Sequence, residues 1–238
     1  MAENATVWLV IPTYNEAANV EAIVSAALER LPPARRVLVV DDASPDGTGR
    51  IADRLAQGRD DVAVLHRGAK RGLGPAYVAG FGEALAGGAE LIVQMDADFS
   101  HDPADLPRLL EAAAEGDLVL GSRYAEGGGV TDWGPGRRAI SRWGSAYARA
   151  ALGIGIRDLT GGFKVFHRTV LEAIDLPSLV SLGYAFQVET TFRAIRAGFT
   201  VVEVPIIFRD RRVGRSKMTG PIVLEAAWRV PAMRLRGR

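Results

Sequence analysis

The chain has 238 residues, 48% of them hydrophobic, which suits one α/β domain or a domain with a small appendage. It contains no cysteine, so disulfides and thiolate metal sites are excluded and any metal must be held by oxygen or imidazole ligands. A net charge of +1 says little about partners; no nucleic-acid partner is expected.

Taken in chain order, short apolar runs alternate with helical patterns through the first half. Strands are expected at Val7–Ile11, Val37–Val40, Val62–His66, Glu90–Met95 and Asp117–Gly121, all rich in Val, Ile or Leu. Between them, Glu16–Leu31 carries apolar residues at helical spacing, and Thr48–Gln57 follows the turn-forming Ala43-Ser44-Pro45-Asp46-Gly47. Helices are also expected at Pro75–Ala86 and Pro103–Glu115, each with Pro in its first turn, where the missing N–H does least harm. Repeated β-α-β units imply a mainly parallel, doubly wound sheet flanked by helices, with ligands at the carboxyl ends of its strands. Beyond these, Glu126–Arg138 is glycine-rich and reads as a mobile loop. A helix over Ala139–Leu152, a strand at Phe163–His167, a helix at Tyr184–Ala197 and a strand at Thr200–Val204 follow. Thr219–Leu235 is broadly amphipathic, with Pro231 as a kink or stop. No internal repeat or low-complexity linker divides the chain, so residues 1–238 read as one domain.

Three polar clusters fall at strand ends on one sheet edge: Pro12-Thr13-Tyr14-Asn15-Glu16, Asp41-Asp42 and Asp96-Ala97-Asp98. Crowded carboxylates repel unless a cation or hydrogen-bond donors lie among them. Asp96 and Asp98, two apart at a strand end, point the same way and suit Mg²⁺ or Mn²⁺ completed by diphosphate oxygens and water. An Asx turn capping the next helix is the simpler use of the same residues. Asp41-Asp42 can accept hydrogen bonds from a base or ribose, with the following residues making the turn. His101 lies near the Asp pair, either as a further ligand or as a helix-entry residue. Arg123, Arg137, Arg138 and the cluster Arg209, Arg211, Arg212, Arg215 and Lys217 suggest a second phosphate site, since guanidinium groups bind phosphate bidentately. A dinucleotide-binding reading fails, because Pro12 stands where a glycine-rich phosphate cradle would need a backbone N–H.

The residues resemble the family 2 glycosyltransferases of GT-A fold and, among them, the polyprenol phosphate mannose synthases. The matching words are Ile11-Pro12-Thr13-Tyr14-Asn15-Glu16, Val40-Asp41-Asp42-x-Ser44-Pro45-Asp46-Gly47-Thr48, Gly72-Leu73-Gly74-x-Ala76, Met95-Asp96-Ala97-Asp98-Phe99-Ser100-His101, Gly121-Ser122-Arg123-Tyr124, Gly161-Gly162-Phe163-Lys164, Gly183-Tyr184-x-Phe186-Gln187-x-Glu189 and Arg211-x-x-Gly214-x-Ser216-Lys217. The resemblance implies that Pro12, Tyr14, Glu16, Val40, Asp41 and Asp42 hold the nucleoside of GDP-mannose. It implies that Asp96 and Asp98 bind the metal and diphosphate, with Ala97 and Ser100 beside them. It places the lipid phosphate at Arg123 and Arg137, and a loop carrying Arg211 and Lys217 over the phosphates. Glu189 matches a recurring acid of the family. The implied reaction is inverting transfer of mannose to a polyprenyl phosphate. Transfer of glucose from UDP-glucose, or a non-catalytic nucleotide-sugar scaffold, are the alternatives.

No run reaches the about 18 apolar residues of a spanning helix, and the start has no basic stretch of the signal-peptide kind. The expectation is a cytoplasmic protein, peripheral on the cytoplasmic face of a membrane. It would meet its lipid through the basic, apolar 219–238 segment or through a separate membrane-spanning partner.

Overall fold

A computed structural model of the protein describes residues 5–179, 183–210, 230–231 and 233–234. The first half runs β1 (Val7–Thr13), α1 (Val20–Leu28), β2 (Arg35–Asp41), α2 (Thr48–Ala56), β3 (Val62–His66), α3 (Leu73–Ala86), β4 (Leu91–Gln94), α4 (Leu106–Ala112) and β5 (Leu118–Ser122). The second half runs β6 (Gly129–Val130), α5 (Pro135–Leu152), β7 (Lys164–His167), α6 (Arg168–Ala173), α7 (Gly183–Arg196), β8 (Val201–Pro205) and β9 (Ile207–Phe208).

Seven strands form one sheet in the order β3-β2-β1-β4-β7-β5-β8. All neighbouring pairs are parallel except those of β7, which runs against both β4 and β5. The sheet is therefore mainly parallel, as expected, with one reversed strand inside it. Strand order changes direction between β1 and β4, and the crevice at such a switch point is where open α/β sheets bind ligands.

Both faces of the sheet are buried, which explains the continuous apolar runs. Along β1, Leu9 and Ile11 join one cluster with Val20, Ile23 and Leu106, while Trp8 and Val10 join the other with Tyr77 and Phe81. Each fully buried Val, Leu or Ile contributes about 1.5–3 kcal/mol. Gly80 permits the close approach of α3, because a Cβ there would stand 2.4 Å from Val10 Cγ1.

Several boundaries differ from expectation for visible reasons. α1 begins at Val20 rather than Glu16, because Glu16–Asn19 close a separate turn in which the Asn19 amide donates to the Glu16 carbonyl at 2.9 Å. The expected Pro103–Glu115 helix is a 3-10 turn, Pro103–Asp105, followed by α4, with Pro107 opening the second piece. α5 starts at Pro135, four residues before Ala139, so Arg137 and Arg138 lie on a helix and not on a loop. The glycine-rich 126–138 stretch is tied down in its middle, since β6 pairs in parallel with β9. Two-residue strands carry no periodicity, which is why neither was legible in sequence. Arg211, Arg212, Gly214, Arg215 and Lys217 lie outside the described residues, as does most of 219–238. Of that segment, Val230 is buried and Met233 packs beside it on a cluster with Leu152, Leu159 and Phe192, and Arg234 donates to the Ala151 carbonyl.

Candidate active site

The loops after β1 and β2 are laced together by hydrogen bonds. The Asn15 amide donates to Ser44 Oγ at 3.1 Å, Glu16 to Thr48 Oγ1 at 2.9 Å and Ala17 to Asp46 Oδ2 at 3.0 Å. Asp46 Oδ1 also accepts the Thr48 amide at 3.0 Å, as an Asx turn does. Partial burial would raise the Asp46 carboxyl, but the bonds from Thr48 and Ala17 outweigh that and hold it below its ordinary value.

Asp41 and Asp42 are both buried. Asp41 accepts from Thr13 Oγ1 and from the Ser44 amide. Gly49, in the first turn of α2, stands so close that a Cβ there would lie 2.8 Å from Asp41 Oδ2. The carboxylate thus faces the positive end of that helix. Asp42 spends its oxygens on the neighbouring loop: Oδ1 pairs with Arg67 at 2.6 Å, and Oδ2 accepts the Arg71 and Gly72 amides at 3.0 and 3.2 Å. It shapes the 67–72 loop, whereas the sequence reading expected it to bond ligand. That loop also carries Lys70, whose Nζ stands 3.8 Å over the Tyr14 ring. Val40 is fully buried on the α3 side, so its side chain is core. Ala97 is core as well, on the opposite face.

Asp96 and Asp98 follow β4 and lie close to the same two partners, Tyr77 and His101. Tyr77 is fully buried and donates its hydroxyl to Asp96 Oδ1 at 3.0 Å. Burial, then the charges of Asp96 and Asp98, keep the Tyr77 proton in place well above the usual phenol range. His101 Nδ1 accepts the Asp96 amide at 3.3 Å and its ring stacks on Phe163. Burial lowers the His101 pKa, against the opposing pull of Asp96 and Asp98. A neutral ring accepting at Nδ1 carries its proton on Nε2, so His101 supports the Asp96 backbone. Asp98 Oδ1 accepts the Ser100 amide at 3.0 Å, so the Asx turn is present as well as the paired carboxylates. Gly162 leaves room above Asp96: a Cβ there would lie 3.5 Å from Asp96 Oδ2, 3.3 Å from His101 Cε1 and 3.6 Å from Gln187 Nε2.

Among the described residues, no group of three or more His, Cys, Asp or Glu side chains is arranged to hold a metal. Asp96 and Asp98 would supply two carboxylates to a cation completed by substrate phosphates and water, the usual manner for Mg²⁺. Ser100 Oγ, buried without a hydrogen-bond partner among the described residues two positions beyond Asp98, and the space left by Gly162 fit a polar occupant there.

The arginines expected to form a phosphate site behave differently from one another. Arg123 is 5% exposed and its fork faces Asp158: Nε to Oδ2 and Nη2 to Oδ1, both at 2.7 Å, with Nη2 also 2.7 Å from Thr160 Oγ1. Burial would raise the Asp158 carboxyl, but the Arg123 guanidinium and the backbone N–H groups of Arg123 and Thr160 hold it below its ordinary value. Arg123 thus fastens the 123–133 segment to the 158–160 turn. Sequence reading missed Asp158, since nothing local marks an acid 35 residues away as a partner. Arg137 stacks on Trp133 at 4.2 Å and pairs with Asp210 at 2.8 Å while remaining partly exposed. Behind both, Lys164 is fully buried on β7, with Nζ donating to the Gln187 carbonyl, Thr190 Oγ1 and Thr191 Oγ1. Burial pushes its pKa down to about 7, with Asp158 pulling the other way. Glu189, 6% exposed, pairs with Arg193 through Oε1, while Oε2 has no hydrogen-bond partner among the described residues.

The mainly parallel sheet with carboxylates near its switch point agrees with the GT-A fold expected from the sequence. The model of glycosyl transferase family 2 matches residues 8–175. A polyprenol monophosphomannose synthase of Mycolicibacterium smegmatis is 49% identical over 97% of this chain and 87% of its own length. An undecaprenyl-phosphate mannosyltransferase of Micrococcus luteus is 48% identical over 96% of this chain and 94% of its own. The chain belongs to glycosyl transferase family 2. Among solved structures, glucosyl-3-phosphoglycerate synthase of Mycobacterium tuberculosis, with Mn²⁺, UDP-glucose and phosphoglyceric acid, has a TM-score of 0.69 at 19% identity, covering 99% of this chain and 81% of that one. A mannosyltransferase of Pyrobaculum calidifontis with GDP-Man and Mn²⁺ has a TM-score of 0.61 at 18% identity, covering 98% and 74%. At such identities the likeness shows the fold.

Proposed function

We propose that the protein transfers mannose from GDP-mannose to a polyprenyl monophosphate with inversion, giving a polyprenyl β-mannosyl phosphate. The observation that carries this reading is near-half identity, over almost the whole chain, to two proteins named for transfer of mannose to polyprenyl phosphate. The GDP-mannose held by the Pyrobaculum relative agrees with the donor.

In this reading Pro12, Tyr14, Glu16 and Asp41 take the nucleoside, with Asp42 and Val40 behind them. Asp96 and Asp98, with Ser100 and the backbone of Ala97 beside them, face the diphosphate. A divalent cation at the two carboxylates, Mg²⁺ or Mn²⁺, supplies charge neutralisation for the diphosphate. The Mn²⁺ of both structural neighbours supports that group. Arg137 offers the more accessible guanidinium to the lipid phosphate, and Arg123 positions the segment leading to it. Arg211 and Lys217, outside the described residues, keep the role the family resemblance gives them.

The acceptor phosphate is already anionic near neutral pH, so an oxygen attacks the anomeric carbon without a general base. The new bond forms as the bond from that carbon to the diphosphate oxygen breaks. GDP leaves with the electron pair, and no proton moves. The protein's own contribution is alignment and stabilisation of charge by fixed donors. Among the described residues no helix is long and apolar enough to cross a membrane. A peripheral position on the cytoplasmic face, where nucleotide sugars are supplied, accords with that.

The test is a transfer assay with purified protein, divalent metal, polyprenyl phosphate and labelled GDP-mannose beside UDP-glucose. Label entering the lipid from GDP-mannose, and stopped by chelator, is expected. Transfer from UDP-glucose alone would replace the sugar. No transfer to lipid from either donor would overturn the reading.

A further inference from the structure

Arg123 and Arg137 each hold a carboxylate, but in different settings. In the Arg123–Asp158 pair the side chains are 4% and 0% exposed, whereas those of Arg137 and Asp210 are 27% and 36% exposed. A buried pair is permanent, because either charge left alone there is costly, while a solvated pair is weak and exchanges readily. The accessible guanidinium of the site therefore already carries an anion, and one that can be replaced. A carboxylate and a phosphate ask for the same N–H groups of an arginine, so an arriving phosphate competes with Asp210.

The surroundings suit such an exchange. The ring of Trp133, itself buried, backs the Arg137 guanidinium at 4.2 Å, so the cation keeps its place when its anion changes. Trp133 Nε1 is buried with no hydrogen-bond partner among the described residues, so an N–H near Arg137 also lacks an acceptor. The backbone leading to Asp210 is pinned: the Thr131 amide donates to the Phe208 carbonyl at 2.9 Å, and the Arg209 amide to the Ser100 carbonyl at 3.1 Å. Releasing Arg137 thus asks Asp210 for a change of rotamer and not for a rearrangement of the chain. Asp210 also lines a surface pocket with Arg30 and Arg209, so a displaced carboxylate keeps cations near it. We propose that Asp210 is a resident stand-in for the acceptor phosphate, held on Arg137 until a phosphate displaces it. The apparent affinity of every anion that binds Arg137 is then lowered by one factor, the fraction of Arg137 that Asp210 leaves open. Weak anions are kept off the site, and the mannosyl phosphodiester leaves as Asp210 returns, without baring the cation. The account of acceptor and product rests on the function proposed above, whereas the exchange at Arg137 does not.

The test uses the full chain saturated with GDP and Mg²⁺, to fill the diphosphate site, and inorganic phosphate as the probe in titration calorimetry. Asp210→Asn should tighten phosphate binding about threefold to tenfold. In an Arg137→Gln background the same change should do nothing, since the cation that the two anions share is gone. Asp210→Glu restores the charge and should return the affinity to near that of the parent. In transfer assays with a short, water-soluble prenyl phosphate, Asp210→Asn should lower the acceptor KM and the product inhibition constant by that same factor. An Asp210 that merely braces Arg137 would give the opposite sign, a raised KM. Phosphate binding that is unchanged, weaker or absent in Asp210→Asn overturns the proposal. The calorimetry needs no transfer, so phosphate binding gained by a protein that transfers no sugar would sink the functional reading and leave the exchange standing.

Discussion

The loops after β1, β2 and β4 and the segments that follow β5 and precede β7 are held in place by different means. On the first side the ties are many and weak: amide-to-side-chain bonds at Asn15, Glu16, Ala17, Ser44 and Thr48, with Asp41 after β2 and Asp98 after β4 each accepting an amide of its own loop. Asn15, Ala43 and Phe99, one after each of β1, β2 and β4, hold left-handed backbone at φ 59°. Non-glycine residues accept that conformation only where surrounding bonds over-determine it, and such residues gather at functional sites. On the second side one buried ion pair, Arg123–Asp158, and a group of rings around it do the same task. The first side is thus tied down by many bonds before any ligand arrives. On the second side the Arg123–Asp158 pair is the most deeply buried ion pair, beside Arg137–Asp210 and the β6–β9 pairing, and removing it should be felt at once.

The largest expected effect follows from this. Asp158→Ala leaves the Arg123 guanidinium buried and uncompensated, at a cost of about 3–5 kcal/mol in urea denaturation. A loss under about 1 kcal/mol would show that the acceptor side has other ties of equal weight. The pair has a pH signature too. The Asp158 carboxyl is held below its unfolded value of 3.8, so its contribution is full above that pH and is lost as pH falls through the folded value.

Next comes the donor side. Asp98→Asn keeps an acceptor for the Ser100 amide but removes the charge. Turnover should fall by about 100-fold or more with little change in melting temperature. Asp98→Ala also deletes the cap and should cost about 1 kcal/mol in addition. Substantial activity in the Asn variant would dismiss a metal at these carboxylates.

Lys164 lies between the two regions. Its folded pKa of about 7 is below the unfolded 10.5, so from about pH 7 to 10.5 the unfolded chain holds a proton that the folded one releases. Stability therefore rises with pH across that window, by at most about 1.4 kcal/mol per unit. Lys164→Met should flatten this slope relative to the parent when urea midpoints are compared across pH. Parallel slopes would mean that the amine is not desolvated.

The smallest effect tests the strain itself. Ala43→Gly relieves a left-handed alanine while loosening the unfolded chain, and the two oppose each other. A net gain of under about 1 kcal/mol is expected by thermal denaturation. A loss would show that the Ala43 side chain makes a contact worth more than its strain.

Much of this molecule was legible without coordinates. Apolar runs such as Val37–Val40 had to be strands covered on both faces, because alternation is absent and four-residue stretches are too short for helices. Carboxylates placed just after such runs had to gather at one sheet edge, and Pro12 ruled out a glycine-rich phosphate cradle. The words from Ile11 to Lys217 pointed to the family that the comparisons show. Tertiary structure alone decided what each charge is used for. Asp42 closes a loop through Arg67, Arg123 is fastened to Asp158, Tyr77 reaches Asp96 from α3, and Lys164 is buried among neutral acceptors. β7 runs against its neighbours, and two-residue strands tie the glycine-rich segment. The division has a physical cause. Hydrophobic periodicity is local and repeats along the chain, so sequence alone reveals it. A charge finds its partner across 25 to 35 residues of chain only once the sheet has brought both strand ends together.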